Sequence, residues 1–187
     1  MKTFFSLIDQ LNLNPSEKTT IEAEIWQHYG HYKIVLALDM SGFSLTVRRD
    51  GIVAYLAKIR KMQQLAIPLV INHQGEVVKC VADNLMAIFD DANCAVNAAI
   101  AINLASQDIG QSVSIGLDYG RILLIHHQDC YGDAVNKAYK LGEDIARANE
   151  ILITEQIKER LPSITPYRLI AEHISISGLE FTAYKVN

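Results

Sequence analysis

Lys33 to Leu38 is a short, continuously apolar run, Ile-Val-Leu-Ala-Leu after the lysine, and it stops on Asp39. A run of this kind, rich in branched side chains, is buried on both faces and belongs at the centre of a sheet. The acid at its tip is followed by Met40 and a Ser41-Gly42 turn, where the backbone leaves the core. A second stretch repeats the arrangement: Val78-Lys79-Cys80-Val81-Ala82 leads into Asp83, and Leu85 to Phe89 returns from it. Carboxylates at strand tips offer hard oxygen ligands to Mg2+ or Mn2+. Two such tips brought together hold a pair of ions roughly 3.5–4 Å apart around a phosphoryl group. Taken singly, each aspartate is more often a plain strand end that caps the next turn. The pair, with the residues downstream of it, favours the metal.

At 187 residues the chain suits one domain, large enough to bury roughly 70% of its unfolded surface. Half its residues are hydrophobic and 20% are charged, the balance of an ordinary globular protein. A net charge of −4 with no basic run argues against a nucleic-acid partner. Cys80, Cys94 and Cys130 form no Cys-x-x-Cys pair, and no two histidines are spaced for a structural zinc. The odd cysteine count fits a reducing cytoplasm, as does the lack of a secretory leader. The opening Met-Lys-Thr-Phe-Phe resembles a signal peptide until Asp9 interrupts it. With no apolar run approaching about 18 residues, membrane insertion is not expected.

The pattern along the chain alternates helices and strands. Pro15-Ser16-Glu17 reads as a helix start with Ser16 as cap, followed by Ile21, Ile25 and His28 on one face until Gly30. Apolar residues from Ile52 to Ala66 recur at helical spacing, and Pro68 is expected to end or kink that helix. Glu76–Val81 and Leu85–Phe89 read as a hairpin with Asp83 at its tip. A helix over 91–106 follows. Val113–Leu117 and Arg121–Ile125 then suggest a second hairpin around Asp118-Tyr119-Gly120. Asp133 is expected to cap a helix reaching Arg147, with Glu143 and Arg147 paired and Asn149 as a left-handed stop. Glu150–Thr154 reads as a strand, and Tyr167–Ile176 and Leu179–Val186 close the chain around Ser177-Gly178. The order predicts an α+β fold, a ferredoxin-like, antiparallel-rich sheet with helices on one face.

These residues resemble the catalytic domain of class III adenylate and guanylate cyclases, over roughly residues 33–160. One strand of that family ends in Asp-x-x-Gly-Phe, matched by Asp39-Met-Ser-Gly42-Phe43. A hairpin carries Lys-x-x-Gly-Asp, matched by Lys79-Cys-Val-Ala-Asp83. An Asp then precedes an Asn-x-x-x-Arg pair, matched by Asp129, Asn136 and Lys140. Residues 1–30 read as a helical lead-in, and 31–187 as the catalytic domain that the resemblance implies. It implies that Asp39 and Asp83, with the Met40 carbonyl, hold two Mg2+ or Mn2+ ions. Lys79 and Asp129 would read the base, in the adenine-selective pairing, Asn136 would orient the ribose, and position 140 would stabilise the reacting phosphorus. The metal aspartates and the other four groups come from different protomers in that family, so the implied molecule is a head-to-tail homodimer acting on ATP, making cyclic AMP and pyrophosphate.

The chemistry of the side chains agrees. A lysine only donates and a carboxylate only accepts, which complements the N1 acceptor and N6 donor of adenine and mismatches guanine. Asn136 and Lys140 lie one helical turn apart. Ser41, Gly42 and Phe43 open a helix whose free N–H groups can take a phosphate oxygen. Two departures stand out. Lys140 replaces the usual Arg and loses its planar fork, which predicts a slow enzyme. Ala82 replaces a glycine and would be strained if its φ is positive. Both support an alternative, a cyclase-homology module that binds nucleotide and regulates a partner without turnover. The adjacent His126 and His127 would point to opposite faces of a strand, and Cys130 reads as a buried apolar thiol.

Overall fold

Thr3 accepts a hydrogen bond from the Ser6 N–H at 3.2 Å and starts helix α1, Phe4–Leu13. A single 3-10 turn over Pro15–Glu17 leads into α2, Lys18–Tyr29. Ser16 therefore lies inside that turn rather than capping a helix, because Pro15 takes its first position with its φ already set. Strand β1, Gly30–Met40, outruns the apolar stretch at both ends. Then come α3, Phe43–Asp50, and α4, Ile52–Asn72, followed by the hairpin β2, Glu76–Val81, and β3, Asn84–Phe89. Helix α5, Ala92–Asp108, precedes β4, Val113–Ile125, and β5, Asp129–Tyr131. Helix α6, Asp133–Tyr139, widens into a π-helical stretch over Lys140–Ile145. The chain closes with β6, Ile151–Thr154, α7, Glu155–Lys158, β7, Leu169–Ile176, and β8, Leu179–Val186. The computed structural model describes residues 3–176 and 179–187, without the side chains of 43–46, 176 and 179; the expected Ser177-Gly178 turn lies outside the described residues.

The strands form one sheet in the order β2-β3-β1-β4-β6-β8-β7, with β5 paired to β4. Only β4 and β6 run parallel; the other pairs are antiparallel. Along β1, Ile34, Leu36, Leu38 and Met40 pack with Tyr55, Ile59 and Met62 of α4 and Ala95, Ala99 and Ile102 of α5. Val35 and Ala37 face the other way, onto Ala134, Val135 and Ala138 of α6. Helices thus cover both faces, not one, which is why the central strand carries apolar residues at every position. No helix of the described residues is long and apolar enough to cross a membrane.

Four local expectations are corrected. Residues 113–125 form one continuous strand, not a hairpin, and Asp118 sits mid-strand, buried, accepting a bond from the Thr154 hydroxyl. The glycines there serve close packing rather than a turn: a Cβ on Gly116 would lie 2.1 Å from the Ala138 carbonyl oxygen, and one on Gly120 would lie 3.1 Å from Ala134 Cβ. The turn comes later, where His126 and His127 take φ of 50° and 56°. Pro68 does not end α4. It lies on the solvent side, as does Gln64, whose carbonyl loses its partner to the proline, while Ala66 and Val70 anchor the helix in the core. Gly132, not Asp133, occupies the cap position of α6, and Asp133 pairs instead with Lys137 at 2.7 Å. Arg147 lies beyond the π stretch, so Glu143 and Arg147 do not share a helix; the Arg147 N–H donates to Glu150 Oε2 at 2.9 Å. Asn149 does take the left-handed conformation, with φ 66°.

Candidate active site

The β1–β3 register sets Asp39 opposite Asn84, one residue from Asp83, so both aspartates lie at one end of the sheet. Asp83 stands in the two-residue tip of the β2–β3 hairpin, after Ala82, whose φ is 50°. Burial, then the charge of Asp83, then that of Glu143 raise the Asp39 pKa to about 6, opposed by a hydrogen bond from the Met40 backbone. Asp83 Oδ2 accepts the Tyr55 hydroxyl at 2.9 Å. Neither aspartate has a Lys or Arg ion pair among the described residues. No three His, Cys, Asp or Glu side chains of the described residues cluster as a metal site. Two crowded, uncompensated carboxylates beside a backbone carbonyl nevertheless suit Mg2+, which keeps waters and takes only one or two protein acids.

Beyond Met40, the Ser41 N–H is already spent on the Ser112 carbonyl at 3.0 Å, which corrects its expected availability to a phosphate. Gly42, with φ 90°, is the residue before α3, and no side chain caps that helix. Phe43 opens the helix, and its side chain lies outside the described residues. A small cavity of about 130 Å³ opens here between Ser41, Tyr55, Lys58 and Gln111.

On the sheet face that carries α6, Lys79 Nζ meets Asp129 Oδ2 at 2.9 Å. A β-bulge between Val77 and Lys79 makes this possible. It pairs Lys79 with Met86, whose side chain belongs to the α6 layer, whereas unbroken alternation would send Lys79 to the side of Val77. The hydrogen bond and charge of Asp129 raise the Lys79 pKa. The pair lines a cavity of about 370 Å³ with Asn84, Met86, Cys130, Val135 and Tyr139. Burial pushes the Cys130 thiol and the Tyr139 phenol up to about 12, so both remain protonated. Asn84 Oδ1 is buried without a hydrogen-bond partner, an acceptor left for a bound molecule.

Asn136 is exposed on α6, and the Lys140 N–H donates to its carbonyl, so the two remain one turn apart. The close approach at Gly116, together with Gly142 against the Ala37 carbonyl, brings the π stretch down onto β1 and β4. That contact also brings Glu143 within electrostatic reach of Asp39. In one chain the structure joins Asp39 with Asp83, Lys79 with Asp129, and Asn136 with Lys140. The Lys79–Asp129 cavity is lined by none of Asp39, Asp83, Asn136 or Lys140 themselves, but by Ala82 and Asn84 on either side of Asp83 and by Val135 and Tyr139 beside the other two.

Tyr55, Glu143, Asn84 and Tyr131 belong to none of the sequence motifs. A tyrosine on the buried stripe of a helix signals a hydroxyl in need of a partner, and that cue points to Tyr55. His126 and His127 stand in a turn rather than a strand, and His127 Nδ1 lies 2.6 Å from Glu76 Oε1.

No family model matches the chain. A curated relative, "Putative adenylate cyclase 3" of Rhizobium meliloti (strain 1021), is 29% identical over 133 residues, covering 67% of this chain. The chain spans only 22% of that relative's length. Among solved structures, the adenylate/guanylate cyclase/hydrolase from Silicibacter pomeroyi is 22% identical with a TM-score of 0.72, covering 84% of this chain and 96% of its own. The adenylyl cyclase CyaB from P. aeruginosa is 18% identical with a TM-score of 0.74, over 84% and 95%. The catalytic core of a rhodopsin-guanylyl cyclase with converted specificity, solved with ATPalphaS, is 20% identical with a TM-score of 0.74, over 84% and 97%. Both cyclase types therefore stand among its structural neighbours, and the chain has the fold of the class III adenylate/guanylate cyclase catalytic domain.

Proposed function

We propose that this chain is an adenylate cyclase, converting ATP to cyclic AMP and pyrophosphate in a head-to-tail homodimer. The observation that carries this reading is the Lys79–Asp129 pair at 2.9 Å beside a cavity of about 370 Å³. A donor-only and an acceptor-only group side by side match the N1 and N6 edge of adenine, whereas guanine presents O6 and N1–H. The fold supports nucleotide cyclisation; the pair supports the choice of base.

In this reading Asp39, Asp83 and the Met40 carbonyl hold Mg2+ or Mn2+, which neutralises phosphate charge and acidifies the ribose 3′-hydroxyl when bound. Lys79 and Asp129 fix the purine. Asn136 orients the ribose, and the Lys140 ammonium offsets negative charge on the reacting phosphate. The 3′-oxygen bonds to the α-phosphorus as the bond to the β-phosphate oxygen breaks, and the hydroxyl proton leaves to solvent. Positioning and electrostatics supply the catalysis. That none of Asp39, Asp83, Asn136 and Lys140 lines the cavity of the Lys79–Asp129 pair supports a site completed by a second copy.

The test is direct: incubate the purified chain with Mn2+ and each of ATP, GTP, CTP and UTP, and identify cyclic products by mass spectrometry. Cyclic AMP as the main product supports the reading, and cyclic GMP in its place sinks the assignment of base. Tight ATP binding without product selects the regulatory module instead. Two observations favour that second reading: Lys140 stands where a forked guanidinium is usual, and Ala82 holds a left-handed φ of 50° at the hairpin tip.

A further inference from the structure

Asp129 is held by more than Lys79. Its Oδ1 accepts the Cys130 N–H at 3.0 Å, and its Oδ2 accepts both Lys79 Nζ at 2.9 Å and the Tyr131 hydroxyl at 3.2 Å. The carboxylate is thus clamped from three directions before any base arrives. Desolvation, with the charge of Asp129, raises the Tyr131 pKa, so the phenol stays a donor.

Tyr131 is itself held from outside the sheet. Its ring stacks on Phe4 of α1, with centroids 6.2 Å apart and planes within 3°. Phe4 is buried, gripped edge-on by Phe5 at 5.3 Å and Tyr29 at 5.2 Å. Behind it, Leu7, Ile21 and Ile25 of α1 and α2 close over Ile125, the last residue of β4. A continuous set of contacts therefore runs from the first two helices, through two aromatic rings and one hydroxyl, to a single carboxylate oxygen. A packed chain of this kind transmits a displacement because its members have few alternative arrangements.

We propose that Tyr131 is a positioning residue for Asp129, and that α1, through Phe4, sets the nucleotide selectivity of the site. This rests on the reading of Asp129 as a base-recognising group. Movement or removal of α1 releases the Tyr131 ring, and the Asp129 carboxylate loses its third restraint. The affected property is discrimination between adenine and guanine, since Asp129 lines the cavity whereas Asp39 and Asp83 do not.

The experiment measures dissociation constants of ATP and GTP for the full chain, by displacement of a fluorescent ATP analogue, in wild type, Y131F, F4L and F4L/Y131F. Y131F keeps the stacked ring and removes only the hydroxyl. Its ATP over GTP preference should fall by about three- to tenfold, the range of one lost hydrogen bond. F4L should shift the ratio in the same direction by less. The double variant should be no worse than Y131F, because the influence of Phe4 passes through that hydroxyl. An unchanged ratio in Y131F, or additive effects in the double variant, overturns the inference while leaving the cyclase reading intact. A wild-type chain that binds neither nucleotide overturns both.

Discussion

Tyr55 donates its hydroxyl to Asp83 Oδ2 at 2.9 Å although its ring is only 1% exposed. A core residue of α4 thereby fixes the orientation of a carboxylate at the hairpin tip. Burial, then the bond to Asp83, raises the Tyr55 pKa beyond its ordinary 10, so the phenol remains a donor across the working range. Y55F should cost about 1 kcal/mol in urea denaturation. If Asp83 holds the ion as proposed, loss of its outer partner should also weaken Mn2+ binding by roughly tenfold or more. Isothermal calorimetry with Mn2+ checks the second effect, and unchanged affinity removes Asp83 from the ion's ligands.

Crowding at Asp39 has a signature in pH. Its folded pKa of about 6 lies above the ordinary 3.8, so the folded chain holds this proton more tightly than the unfolded chain. The resulting stabilisation is complete below about 3.8 and is lost as pH rises through about 6. Without metal, the wild-type melting temperature should fall across that window relative to D39N. Added Mn2+ should recover it most above the upper value, where the carboxylate is ionised. Parallel melting curves for the two proteins across the window would rule out the crowding.

Ala82 is the one residue of the hairpin tip with a positive φ, at 50°. Left-handed backbone costs a Cβ-bearing residue about 1–2 kcal/mol, part of which glycine gives back through its larger unfolded freedom. A82G should therefore stabilise the chain by about 0.5–1 kcal/mol, read from the midpoint of denaturation. A loss of stability would show that the Ala82 methyl packs usefully against the cavity it lines.

Lys140 presents one ammonium where a guanidinium would offer two parallel donors. If the cyclase reading holds, K140R should raise kcat for ATP by about tenfold with little change in KM, the mark of an interaction made in the transition state. Steady-state kinetics of cyclic AMP formation measures it. A fall in kcat would mean that the turn around residue 140 is shaped to the smaller head group.

Much of the architecture was legible because it depends on local periodicity. The apolar run ending at Asp39, the hairpin with Asp83 at its tip and the left-handed Asn149 all appear where residue pattern and turn chemistry place them. Gly120 misled for a physical reason. Glycine marks a turn and a close approach alike, and the Ala134 side chain that crowds Gly120 belongs to α6, beyond the end of the strand. Pro68 does not end α4, and it and Gln64, one turn before it, are both exposed, a fact of the helix's placement rather than of its sequence.

What the order of residues determined is the inventory: two acids at strand ends, a lysine and an aspartate fifty residues apart, and an asparagine and a lysine one turn apart. Type and spacing decide such things, because strands alternate at two residues and helices repeat at 3.6. What only the tertiary structure decided is which of them meet. A bulge at Val77 and Lys79 turns the lysine onto the face where Asp129 waits. A helix-core tyrosine reaches Asp83, and a ring from α1 settles on Tyr131. Each of these is a contact between segments far apart in the chain, chosen by how layers pack around a shared core, and no local pattern encodes that choice.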